Sequence, residues 1–191
     1  KDSNNEYYEV TEIEIPNTVT NIGSYQFHSF DNMTKVVIPN SVTSIGYDAF
    51  YGCSSLESIT LPFIGNTLDG TTNTYFGYIF GASSYSYNDD YVPTLLKEVI
   101  ITGGTSIGNN AFYRSRSLES IEIPSSVTSI GSSAFRGCSS LTSIEIPDSV
   151  TSIGNSAFAE CDSLIFSTYG NAKYLGNDQN PYLVLVDVSD S

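Results

Sequence analysis

The reactive inventory of this chain is small: one histidine, three cysteines, and carboxylates that outnumber the basic side chains by 21 to 7. His28 directly follows Phe27 and reads as a surface residue. A single His cannot build a His-rich metal site, and nothing around it in sequence supplies a Ser-His-Asp arrangement. Glu122 and Glu145 resemble a glycosidase acid pair only superficially. Strands stacked about 4.8 Å apart would bring such residues together whatever their role. Asn88, Asp89 and Asp90, with Asp69, offer oxygen ligands for Ca²⁺ but lack the fixed spacing of a binding loop. Cys53, Cys138 and Cys161 fall in one repeating column, where Phe30 and Ser115 take the same place. That periodicity describes a buried small hydrophobe, and side chains stacked in parallel do not aim at one another, so the cysteines read as free thiols. An odd count leaves the redox compartment open. No catalytic residue, cofactor or metal is expected, and the chain does not read as an enzyme.

What must position these residues is a unit of 23 residues, clearest in Leu118 to Ile130 and again in Leu141 to Ile153. Pro16, Pro39 and Pro62 keep this step, as do Pro124 and Pro147. The Ile-Gly pairs ending at Gly23, Gly46, Gly108, Gly131 and Gly154 share the phase, with a Phe column at 27, 50, 112, 135 and 158. Such a unit buries its apolar side only by stacking on its neighbours, which predicts a solenoid.

Within one unit, Ile121 and Ile123 alternate with Ser120 and Glu122, the period of a short strand with one face buried. Pro124 ends that strand. Val127 and Ile130 predict a second extended run on the opposite wall, and Gly131 a tight turn. The Ala134-Phe135-x-x-Cys138 spacing predicts a helical or 3₁₀ turn with Phe135 and Cys138 inside. Strand starts at Val10, Met33, Leu56, Leu96, Leu118, Leu141 and Leu164 predict seven parallel passes, a stack roughly 30 Å tall.

The unit resembles the BspA-like, or Treponema pallidum-type, leucine-rich repeat, carried here by Leu56, Ile59, Leu61, Pro62, Val127, Ile130, Ala134, Phe135 and Cys138. The match extends over about residues 10 to 165. The resemblance implies a β-rich, right-handed, curved repeat solenoid with short parallel strands on one or two faces. It also implies an extracellular or cell-surface location and adhesion or host-protein binding, with no catalytic residues to carry over. Fold resemblance leaves the ligand open.

The chain reads as one repeat domain without an internal linker: a lead-in at 1–9, regular repeats at 10–62, an irregular repeat at 63–94, regular repeats at 95–165, and a C-terminal irregular coil or cap at 166–191. Between Leu56 and Leu96 the step grows to 40 residues, and the added segment is rich in aromatics. Phe76 or Phe80 is expected to replace the usual buried Phe. Tyr85, Tyr87 and Tyr91 either pack the enlarged turn or project as a contact patch for a protein or glycan. After Leu164 the phase is lost, although Leu183, Leu185 and the alternating Val residues still read as strand.

A formal charge of −14 opposes binding to nucleic acid or to an anionic lipid surface. The outward strand positions carry Glu12, Glu14, Lys35, Glu98, Ser120, Glu122, Ser143 and Glu145. They form either a solvated wall or an acidic surface for a basic patch on a host or microbial protein. A glycan ligand and a passive spacer role are the alternatives. No stretch is long and apolar enough to predict direct membrane insertion. Because the chain begins at Lys1, it reads as a processed piece of something larger.

Overall fold

The computed structural model describes residues 10–169, 172–176 and 184–188, so the lead-in at 1–9 and Leu183 lie outside the described residues. The front wall is a parallel sheet of six strands: β1 (Glu12–Glu14), β3 (Lys35–Val37), β5 (Ser58–Leu61), β6 (Glu98–Ile101), β8 (Ser120–Glu122) and β10 (Ser143–Ile144). Neighbours pair one repeat apart, Glu12 with Lys35 and Ile121 with Ile144. Across the irregular repeat the step is 40 residues, Ser58 with Glu98, as the sequence spacing requires. The alternation holds along each strand: in β5, Ile59 and Leu61 are buried while Ser58 and Thr60 are half-buried on the outer face.

Pro16, Pro39, Pro124 and Pro147 each open a corner, where the Val three residues on donates back to the Pro carbonyl, as Val127 N–H does to Pro124 O at 3.0 Å. The second wall then forms from two-residue strands: β2 (Asn21–Ile22) pairs β4 (Ser44–Ile45), while β7 (Ser106–Ile107), β9 (Ser129–Ile130) and β11 (Ser152–Ile153) form a separate parallel sheet. A ladder of Thr side chains reinforces it, because the hydroxyls of Thr43, Thr128 and Thr151 donate to the backbone carbonyls of Thr20, Thr105 and Thr128 in the coil below.

The third wall departs from a helical turn. Short i-to-i+3 bonds such as Cys138 N to Phe135 O alternate with bonds to the next coil, Ser133 N to Asn155 O, Phe135 N to Ala157 O and Gly137 N to Ala159 O, at 2.8–3.0 Å. Ser133 and Gly137 have φ of 55° and 77°, and these left-handed residues stop a helix from propagating. Alternate amides are thereby turned toward the neighbouring coil, so this wall is a ladder as well. The inward placement of Phe and Cys is as expected: Phe27 and Phe50 stack at 5.1 Å, Phe112 and Phe135 at 5.3 Å, and Phe135 and Phe158 at 5.4 Å.

Gly131 corrects another expectation. Its backbone is not left-handed. Instead, a Cβ there would lie 2.5 Å from Asn109 N, and the equivalent Gly46 and Gly154 face the backbone nitrogens of Ser24 and Ser132. Gly46, Gly131 and Gly154 are Gly because coils approach closely there, and the turn that follows requires no left-handed backbone at this position.

The seventh expected strand does not join the front sheet. After Leu164, β12 (Ser167–Tyr169), β13 (Ala172–Leu175) and β14 (Val184–Val188) form an antiparallel sheet of their own. Ile165 is 79 % exposed and is followed by a segment without the I-x-I-P pattern, so no strand with a buried alternate face can form there. Leu175 is buried, Phe166 packs on the core, and Ile146 N donates to Gly176 O at 3.0 Å. One hydrophobic cluster runs from Ile15 to Leu175.

Candidate interaction surface

The front sheet aligns its outward side chains in two rows. One runs Glu12, Lys35, Ser58, Glu98, Ser120, Ser143, and the other Glu14, Val37, Thr60, Ile100, Glu122, with Glu145 just beyond β10. Val37 and Ile100, which strand alternation places outward but which the repeat columns do not single out, are half-buried. The face is therefore a short apolar stripe bordered by acids, and not a continuous acidic wall. Ser58 Oγ donates to Glu98 Oε2 at 2.7 Å. Among the described residues the ion pairs are Lys97 with Glu119, Arg116 with Asp89 and Arg136 with Glu160. None of them neutralises Glu12, Glu14, Glu98, Glu122 or Glu145.

The irregular repeat begins beside β4, where Ile45 N donates to Asn66 O and Ser44 bridges Thr67 in antiparallel sense. This interrupts the second wall and explains its division into two sheets. The chain then forms a 3₁₀ helix at Phe76–Phe80 in place of the usual turn. Both Phe76 and Phe80 are buried, where one ring was expected: Phe76 meets Phe112 at 5.0 Å, and Phe80 meets Phe50 at 6.5 Å. The two rings divide the contacts that a single ring such as Phe135 makes in a regular coil, Phe80 toward the preceding layer and Phe76 toward the following one.

A second 3₁₀ turn (Tyr85–Tyr87) leads into α1 (Asn88–Tyr91). Asn88 is fully buried; its Oδ1 accepts from Gly77 N at 3.0 Å, and its Nδ2 donates to Ala111 O at 3.3 Å. This anchors the turn and holds Tyr85, Tyr87 and Tyr91 outside, 41–47 % exposed. The three tyrosines do not share their contacts: Tyr85 meets Tyr113 of the following coil, whereas Tyr91 meets Tyr51 of the preceding one. The acids considered for Ca²⁺ are dispersed. Asp69 accepts from Thr105 N and Oγ1, Asp89 pairs Arg116, and Asn88 points inward.

The column thiols donate to carbonyls in the coil below: Cys53 to Phe27 O, Cys138 to Phe112 O and Cys161 to Phe135 O, at 3.1–3.2 Å. All three are free. Burial pushes Cys53 up to about 11 and Cys161 up to about 12, and raises Cys138 as well, so they lack the thiolate character of reactive cysteines. His28 is exposed, shares a hydrogen bond between Nδ1 and Ser29 Oγ, and stacks on Tyr51 at 5.2 Å.

A parallel solenoid with this repeat step meets its relatives at the level of sequence too. Six copies of the BspA type leucine rich repeat region match residues 3–85 and 94–178. The chain belongs to that family. Among solved structures, this BspA-type repeat chain is similar to a leucine rich cell surface protein of Faecalibacterium prausnitzii, with 28 % identity and a TM-score of 0.48 over 88 % of this chain and 52 % of that one. A leucine-rich repeat protein of Eubacterium ventriosum gives 21 % identity and a TM-score of 0.51 over 84 % and 44 %, a likeness of fold. The T. pallidum leucine rich repeat protein gives 24 % and 0.40 over 82 % and 57 %. The chain thus spans about half the length of these proteins. No curated protein matches it.

Proposed function

We propose that this repeat chain is a non-catalytic protein-binding module of a secreted or cell-surface protein, engaged in adhesion or in contact with host or microbial protein. The observation that carries this reading is the front face, where Val37 and Ile100, flanking Thr60, supply an apolar centre and Glu12, Glu14, Glu98, Glu122 and Glu145 supply carboxylates outside the ion pairs of the described residues. An apolar centre with a charged rim is how protein interfaces combine burial with orientation. The partner that fits is a protein presenting a basic rim around an apolar residue. Double substitution Glu122→Lys with Glu145→Lys tests it: affinity for such a partner falls in low salt, and an unchanged affinity removes this face.

The exposure of Tyr85 and Tyr87 favours a second reading, glycan binding on the irregular repeat. A glycan array with Tyr85→Ser and Tyr87→Ser checks it. Silence toward both proteins and glycans would leave a passive spacer.

A further inference from the structure

The third wall carries a side-chain column separate from the buried Phe and Cys columns: His28, Tyr51, Tyr113, Arg136 and Ala159 follow the repeat, with Tyr91 of the irregular repeat inserted beside Tyr51. Around Tyr51 the rings gather. His28 stacks on it at 5.2 Å, Tyr25 lies 6.1 Å from His28, and Tyr91 lies 6.4 Å from Tyr51. Tyr25, Tyr51 and Tyr91 are 58 %, 44 % and 41 % exposed. Asp48 sits among them, half-buried: its Oδ1, the Tyr51 ring and the Tyr91 ring all border Gly81.

Tyr25 is out of keeping with its place. It has φ of 60°, and the equivalent left-handed positions hold Asp48, Asn110, Ser133 and Ser156. Small polar residues tolerate that conformation, but a bulky ring does not, and one so exposed recovers little by burial. Packing does not account for it.

The wall itself supplies the ligand chemistry. One regular coil shows a Tyr of this column occupied: the Arg114 guanidinium lies over the Tyr113 ring, 5.2 Å from its centroid. At the corresponding place beside Tyr51 stands Gly52, which has no side chain to offer. His28 stacks on one side of the Tyr51 ring, Asp48 and two further tyrosines border it, and among the described residues no guanidinium lies over it as Arg114 lies over Tyr113. The other arginines are engaged elsewhere, Arg116 with Asp89 and Arg136 with Glu160. We propose that Tyr51, with Tyr25, Tyr91 and Asp48, binds an arginine side chain of a partner protein, the guanidinium lying against the exposed part of the Tyr51 ring that His28 leaves uncovered and Asp48 supplying the counter-charge. This site is separate from the front sheet, and aromatic rings with an adjacent carboxylate are the established chemistry for holding such a cation.

The test titrates the protein with acetyl-Gly-Arg-Gly-amide, with the same peptide carrying citrulline, an uncharged isostere, in place of Arg, and with chitohexaose, following isotope-labelled tyrosine rings by NMR. The Arg peptide is expected to shift Tyr25, Tyr51 and Tyr91 and to bind about tenfold more tightly than the citrulline peptide. Tyr51→Ser and Asp48→Asn abolish the response. Gly52→Arg, which places an internal guanidinium as Arg114 does, also blocks it while keeping every ring. Glu122→Lys with Glu145→Lys leaves it intact, which separates this site from the front face. Equal response to citrulline, a response to chitohexaose alone, no response at all, or one surviving Tyr51→Ser overturns the proposal.

Discussion

Gly23 and Gly131 occupy the same place in the repeat but different surroundings, and a single added methyl distinguishes them. A Cβ at Gly131 would strike the backbone of Asn109, whereas at Gly23 it meets, among the described residues, only Gln26 Oε1 at 3.4 Å. Gly131→Ala is therefore expected to destabilise by about 2–3 kcal/mol, the cost of forced overpacking, and Gly23→Ala to be near neutral. Urea denaturation of the two variants checks this, and equal effects would contradict it. Ser115 makes a second case. It replaces Cys in the buried column, and its Oγ has no hydrogen-bond partner among the described residues. Ser115→Ala removes that unsatisfied hydroxyl and should raise Tm by a few degrees, about 1 kcal/mol. The column thiols contribute to the alkaline limit. Their folded pKa values are raised, so they stabilise the fold below the unfolded thiol value near 9 and lose that contribution as pH climbs through about 11 for Cys53 and about 12 for Cys161. Stability should fall from pH 9 upward, and less steeply in Cys53→Ala, as denaturation at several pH values would show.

At the scale of elements, the irregular repeat hangs on Asn88, whose side chain ties Gly77 to Ala111. Asn88→Ala leaves both backbone groups short of a partner in a buried site and should cost about 2–3 kcal/mol. Hydrogen exchange is expected to quicken at 76–91 well before the regular coils, and a uniform change would oppose this account. Which elements the sequence could reveal follows from what a repeat column records. Phase identifies inward residues, so the strands, the buried Phe layers and the free thiols were legible. A Gly column does not record why it is Gly, since close approach and left-handed backbone require the same residue type. Nor does phase reach the irregular repeat, where Asn88 looked like one of several polar residues and where both Phe76 and Phe80 proved to be buried. The Tyr51 cluster did leave a trace, in the shared column of His28, Tyr51 and Tyr113, but only the fold shows that Tyr91 joins it.

For the whole molecule, stacked ladders on three walls make a support on which binding depends on what faces outward. The −14 charge has few internal counter-ions, and on the front sheet the carboxylates border an apolar stripe. Such a surface should attract basic proteins with strong salt dependence. The most direct test is the affinity of wild type and of Glu98→Lys with Glu122→Lys and Glu145→Lys for a panel of extracellular-matrix proteins, in low and in high salt. The account predicts at least one binder whose affinity falls about tenfold or more in the variant and weakens with salt for the wild type. Identical affinities for the two proteins, or no binder in the panel, would contradict it.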